Sequence, residues 1–353
     1  MMFEPIIKGD PDWHKKLNNY LLAIENKLEI LNDLTGGRNN LIYNPDFEIN
    51  QEAFKKINNI NVPFKYFYDM WYFQDIRYSP CYEPGGEISG DGGQFSLASD
   101  ILNYNDFMKL SHGKKGLTIT NTSSTAAIIA IGQIVTLDDI NYYAGKTLSG
   151  GFVFENGKVN LHVYADNTAT LKTQSFVSKT YETYLPQQCE FEFMLPDSLS
   201  NYENLRLELV IKLGAGESIT LANVFMVEGE NGTYIPRAKI EELNLCRQYY
   251  QFYEVLQGYA NSSTYYSHKQ YHLVTMAKNP TARLCTNYTP TDEGIVLVNE
   301  GKAMLLNAML GDSSAVVPQA ELVDTKCIAI AIKSNTPRYG VKYSMFLDCR
   351  PYL

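Results

Sequence analysis

Leu205-Arg-Leu-Glu-Leu-Val-Ile-Lys-Leu213 alternates apolar and polar residues along most of its length, as a strand with one buried face does. Comparable runs fall at Gly116–Thr120, Ala127–Val135, Leu148–Phe154, Val159–Ala165, Glu190–Leu195 and Ile219–Glu228. Turn-forming clusters separate them, among them Glu83-Pro-Gly-Gly, Ser89-Gly-Asp-Gly-Gly, Glu155-Asn-Gly and Gly214-Ala-Gly. Many short strands at this spacing predict an antiparallel sandwich of the jelly-roll kind. Beyond Glu254, Gly294–Asn299, Lys326–Lys333 and Val341–Leu347 predict a second β-rich unit, of a size for one further sandwich.

Two stretches carry a helical period instead. Leu17, Leu21, Ile24, Leu28 and Leu31 step by four and three, the spacing of a coiled-coil seam, and Gly36-Gly37 ends the run. Leucines at a and mixed Ile/Leu at d lean toward three or more strands. Leu22, Ile30 and Leu34 lie off the seam, so a single amphipathic helix packed on its own domain is the alternative reading. Further on, Ile240, Leu243, Arg247 and Tyr250 predict a linking helix from about Ile240 to Phe252. The chain is therefore expected to be mainly β. Residues 1–38 form an α-helical coiled-coil segment for oligomerisation or attachment. Residues 39–238 form the jelly-roll β-sandwich, and residues 239–353 the linking helix and a C-terminal β-sandwich head.

Composition narrows the function classes. The 353 residues are 45% hydrophobic and 20% charged, as a folded protein is. A net charge of −9 with no basic block repels phosphate backbones, so nucleic acid is not expected as a partner. No run approaches the roughly 20 apolar residues of a membrane span, so no membrane insertion is expected, and Met-Met-Phe-Glu-Pro lacks a secretory pattern. Six scattered cysteines with no C-x-x-C pair read as small buried hydrophobes made in a reducing cytoplasm.

Three blocks of motif residues resemble bacteriophage tail-fibre and receptor-binding proteins. Asn40-Leu-Ile-Tyr-Asn-Pro-Asp-Phe-Glu-Ile-Asn-Gln51 with Tyr66-Phe-Tyr-Asp-Met-Trp71 resembles the opening of their jelly-roll module, and is similar to jelly-roll carbohydrate-binding modules. Ile131-Gly-Gln-Ile-Val135 with Tyr143–Phe152 resembles its middle. Ile235-Pro-Arg-Ala-Lys-Ile-Glu-Glu-Leu-Asn-Leu-Cys-Arg-Gln-Tyr-Tyr250, continuing to Val274–Thr281, resembles the junction with a C-terminal β head. There Ala277, with Lys278 beside it, replaces the arginine that follows methionine in the family. The resemblance spans residues 40–281. It implies a virion protein of the phage tail, made in the bacterial host cytoplasm and usually a homotrimer. The N-terminus would meet other tail or baseplate proteins. The head would hold a host cell-surface polysaccharide or teichoic-acid-like glycan. The alternatives are a structural tail or baseplate component without host contact, and a polysaccharide depolymerase.

Glycan contact calls for aromatic faces ringed by amides, hydroxyls and charges. Nine of the 26 tyrosines fall between Tyr234 and Tyr288, where an even spread would place about four, so this region is enriched. The loop-like stretch Tyr259–Tyr271 supplies the expected contacts Tyr259, Asn261, Tyr265, Tyr266, His268 and Lys269. Trp71 is a further candidate platform, with the jelly-roll core as its alternative place. Asp46 and Glu48 resemble the structural calcium site of carbohydrate-binding modules. Ala222-Asn223 supplies no partner carboxylate, so calcium stays open and no cofactor is expected.

No catalyst is expected. Gly311-Asp-Ser313 mimics an esterase nucleophile block, yet the last histidine is His272, upstream of it. His268 and His272 have Lys269 where a zinc-protease helix needs glutamate. No Walker loop, G-x-S-x-G or G-x-G-x-x-G is present.

Overall fold

The computed structural model describes residues 40–350 except 53, 59–64, 77–78, 80–92, 101–115, 136–138, 168–169, 171, 260–264, 308–312, 317–319 and 334–338. The expected coiled-coil segment, with Leu17, Leu21, Ile24, Leu28 and Leu31, lies outside the described residues.

The first unit is built from β1 (Lys56–Ile57), β2 (Lys65–Tyr66), β3 (Tyr72–Gln74), β4 (Phe95–Asp100), β5 (Gly116–Asn121) and β6 (Ala127–Ile134). It continues with β7 (Thr147–Glu155), β8 (Gly157–Asn167), β9 (Lys172–Thr183), β10 (Gln187–Met194), β11 (Asn204–Leu213) and β12 (Ser218–Glu228). Two six-stranded sheets result, ordered β1-β4-β5-β12-β7-β10 and β2-β3-β6-β11-β8-β9. From β5 to β8 and again from β9 to β12 the chain crosses from one sheet to the other at each step, which wraps it into a jelly-roll-like sandwich.

Period-two sequence explains the core. Val159, Leu161, Val163 and Ala165 of β8 and Leu205, Leu207, Leu209, Ile211 and Leu213 of β11 join one apolar cluster with Phe152, Phe154, Leu117 and Ile119 of the facing sheet. The intervening Arg206 and Glu208 therefore point to the outer face of their sheet. Strands β5 to β8 and β10 to β12 lie where the hydrophobic pattern predicts. Strand β9 is not among the predicted runs, because its burial pattern is mostly exposed; it lies at the edge of its sheet and needs few apolar residues.

The linking helix α1 spans Lys239–Arg247, shorter than expected. From Tyr250 the chain is strand, because Tyr250–Tyr259 pairs along Tyr339–Asp348. The head comprises β13 (Tyr250–Tyr259), β14 (Tyr265–Tyr271), β15 (Thr281–Cys285), β16 (Asn287–Thr291), β17 (Gly294–Val298), β18 (Ala303–Asn307), β19 (Ser313–Val316), β20 (Ala320–Val323), β21 (Cys327–Lys333) and β22 (Tyr339–Asp348). Strand β22 is the spine of its sheet: β13 pairs along it, and β15 and β18 pair with its C-terminal and N-terminal parts. Strands β14-β21-β20 and the hairpin β16-β17 form two smaller sheets.

Candidate functional site

The motif residues converge although they lie far apart in sequence. The Asn40 side-chain oxygen accepts from the backbone N–H groups of Ile42 and Met226, both at 3.0 Å, tying the incoming chain to β12. The Gln133 amide stands in for a strand neighbour: it accepts from Tyr43 N at 2.7 Å and donates to Tyr43 O at 2.8 Å. Asn44 adopts φ 51, a conformation asparagine tolerates, and its amide exchanges bonds with Ile49 N (2.9 Å) and O (2.8 Å). Across the joint, Glu242 of α1 accepts from Asn44 N at 2.5 Å and from Arg237 at 3.0 Å. Arg237 also donates to the carbonyls of Ile42 (3.3 Å) and Asn40.

This network reshapes the first turn of the helix, while Leu243 still packs on the core. Ile240, which opens the helical period, is 62% exposed, while Glu242 and Cys246 are buried. A buried carboxylate with a guanidinium and an amide N–H around it is satisfied, and Ile240 yields its place to it.

Other buried charges are likewise engaged. Glu208 is fully buried and accepts from Gln74 (2.7 Å), Tyr164 (3.1 Å), Tyr72 (3.4 Å) and Ser79. Burial raises its carboxyl pKa, against the lowering pull of Ser79, Tyr164, Arg206 and Tyr72. Arg206 pairs with Asp166 at 2.5 Å on the same face. Arg350 forks onto Asp348 at 3.0 and 2.6 Å, with its guanidinium 4.2 Å from the Tyr66 ring centroid and 4.1 Å from that of Tyr250.

The calcium option does not fit these residues. Asp46 accepts from Asn223 N at 3.2 Å and from the Tyr234 hydroxyl, so its carboxylate is occupied by protein donors. Glu48 lines a small cavity with Asn44, Pro45, Asp46, Glu242 and Arg237, where Glu242 is already paired with the Arg237 guanidinium. Among the described residues, no three His, Cys, Asp or Glu side chains cluster to hold a metal ion.

The expected glycan contacts separate. Trp71 is corrected: it is 0% exposed, tilted on Phe47 at 4.6 Å and bonded through Nε1 to Asn44 O at 2.9 Å. A core indole holding the joint has no face left for a sugar. Tyr265, Tyr266, His268 and Lys269 share β14, opposite Lys333, Ile332, Ile330 and Ala329, so half of the supposed loop is strand. Tyr259 ends β13 opposite Gly340, and Asn261 lies outside the described residues. The backbone thus collects the tyrosine-rich residues near one end of β13 and on β14, an outer strand of its sheet.

No protein-family model matches the chain, and no curated protein does. Solved structures do resemble it. A family 16 carbohydrate-binding module aligns with 38% of this chain and 85% of its own, at 14% identity and TM-score 0.27. A CBM4 structure covers 52% of this chain and 100% of its own, at 16% identity and TM-score 0.28. The enzymatically active domain of tailspike protein 4 from bacteriophage CBA120 covers 55% of this chain and 22% of its own, at 11% identity and TM-score 0.33. At these scores the likenesses decide nothing about function.

Proposed function

We propose that this protein is a receptor-binding component of a phage tail or tail-like particle, and that it adheres non-covalently to a host cell-surface glycan. The observation carrying this reading is the joint. Asn40, Asn44, Trp71, Arg237 and Glu242 belong to the motifs that resemble tail-fibre proteins and form one bonded chain, which Gln133 flanks through Tyr43 and Asp46 through Tyr234. The resemblance thus falls on one working device, a stiff coupling of sandwich to head. A stiff coupling suits a protein that presents a surface to a cell under load. Three copies joined through the seam of residues 17–31 would gain about 10² to 10⁴ in apparent affinity from weak sites. Tyr259, Tyr265, Tyr266, His268 and Lys269 are the head's proposed glycan contacts.

Fluorescently labelled protein on bacterial cells, with a glycan array in parallel, tests this. Saturable staining competed by a matching glycan is expected, with no new reducing ends in that polysaccharide. Absence of staining across hosts would favour a scaffold role, and shortened polysaccharide would favour a depolymerase.

A further inference from the structure

Asp139-Ile-Asn-Tyr-Tyr-Ala-Gly-Lys146 connects the two sheets between β6 and β7, and it is held unusually firmly for a surface turn. The Asp139 carboxylate caps a short 3-10 turn, Ile140–Tyr143, by accepting from Asn141 N (2.9 Å) and the Asn141 amide (3.0 Å). Ile140 is buried and Tyr143 packs on the main core. Gly145, at φ +71, turns the chain so that its N–H reaches Pro196 O at 2.9 Å, while Lys146 O accepts from Leu195 N at 2.9 Å. The C-terminal end of the turn is thereby tied to the loop after β10.

From this frame one ring projects into water. Tyr142 is 62% exposed. Its ring meets Tyr143 edge-on, with centroids 5.0 Å apart at 90°. The Lys146 ammonium lies 3.4 Å from its centroid, over one face of the ring, and is held in turn by Glu228 at 3.0 Å, so a ligand would stack on the opposite face. The ring is braced by these contacts, so fixing it for a ligand costs little further entropy.

Exposure alone would not single it out. Tyr184 and Leu185 are 77% and 74% exposed at the tip between β9 and β10, and single apolar residues in water are ordinary. Tyr142 differs in having an aromatic face, a phenol, an ammonium, a carboxylate and the Asn141 amide within one small surface. A sugar ring offers the complement, an apolar C–H face with hydroxyls at its rim.

We propose that Tyr142, framed by Lys146, Glu228 and Asn141, is a saccharide-contact platform on the sandwich, separate from the tyrosine-rich strand of the head. Lys146 is already neutralised by Glu228, and Asp139 adds a negative charge to the turn, so the platform takes an uncharged hexose or N-acetylhexosamine unit rather than an anionic sugar. The proposal rests on the glycan-binding reading above, and deepens it by naming a site and a sugar class.

The test is titration calorimetry of the full chain with a neutral oligosaccharide identified on the array, per binding site so that avidity does not mask a loss. Tyr142→Ala is expected to weaken binding up to about tenfold, the order of one stacked ring. Tyr142→Phe keeps the ring and should lose only a few-fold. Thermal unfolding of both should match the parent, because the residue is exposed. Equal affinity of parent and Tyr142→Ala, or a loss confined to the Tyr265→Ala/Tyr266→Ala double variant, overturns the platform and leaves glycan binding standing. A parent that binds no glycan at all overturns the glycan reading and the platform with it.

Discussion

At the scale of single residues, the feature that most shapes this molecule is a charge in an unexpected place. Glu242 faces inward from a helix whose Ile240 faces water, and its side chain is 8% exposed beside an Arg237 side chain at 5%. Two desolvated charges hold together only while both are present. Arg237→Met keeps the aliphatic bulk and removes the guanidinium, leaving the Glu242 carboxylate buried without its cation and the carbonyls of Asn40 and Ile42 without that donor. Such a break costs roughly 3–5 kcal/mol, a large share of a typical domain's stability. Urea unfolding should show the loss directly. Adding Glu242→Gln to Arg237→Met should recover part of it, because the uncompensated charge is then gone; strict additivity of the two losses would contradict this account.

At the scale of elements, the sequence is most readable where one periodicity governs a whole strand. Leu205 to Leu213 alternates, and β11 lies there, because burial on one face selects that pattern. Edge strand β9 leaves no such signal, because an edge needs little apolar surface. The helical period overruns the end of α1 because Tyr250 fits a helix as well as a strand, and only its pairing with Asp348 of β22 decides between them. By sequence Trp71 suits a platform or the core, and the distant Asn44 carbonyl settles it. The Tyr142 frame is not legible at all, since Glu228 lies 82 residues beyond Lys146. Hairpin β16-β17 is half visible, through Gly294–Val298, but its role is not. Asp292 O at its tip accepts from both Lys55 N and Lys56 N at 2.7 Å, so the head grips β1 of the sandwich there. Gly294 permits this approach: its φ is +101, and a Cβ would come 2.6 Å from the Phe54 ring. Gly294→Ala should destabilise the protein by about 1–3 kcal/mol through backbone strain and displacement of Phe54. Limited proteolysis should cut the hairpin of this variant faster than that of the parent; unchanged cleavage and melting would show that the grip is dispensable.

At the scale of the whole molecule, the second grip is at the C-terminal end of the described chain, where Arg350 sits between Tyr66 of the sandwich and Tyr250 of the head. Gln51 links the same parts by donating to Tyr250 O at 3.2 Å and to the Asp69 carboxylate. Asp69 is the carboxyl of this seam whose pKa is raised. Burial pushes its carboxyl up to about 6, while the Gln51 bonds and Arg350 pull it down and Glu52 pushes it further up. The Cys246 thiol and the Tyr250 hydroxyl also feel its charge, and both are driven well above their ordinary values, chiefly by burial. A carboxyl raised in the folded state binds its proton more tightly there than in the unfolded chain. Its stabilising contribution is therefore complete below about 3.8 and is lost as pH rises through about 6. Burial raises Glu155, Asp166 and Glu208 as well, so these carboxyls work in the same direction. The protein should thus melt higher near pH 5.5 than near pH 8, with Asp69 alone accounting for up to roughly 3 kcal/mol across its full titration. Asp69→Asn fixes the neutral state and should flatten the melting temperature between pH 5 and 7, most visibly at the boundary between sandwich and head. If that slope kept its size in the variant, the seam would not be the group that sets it, and the coupling of the two parts would have to be sought at the Asp292 contact instead.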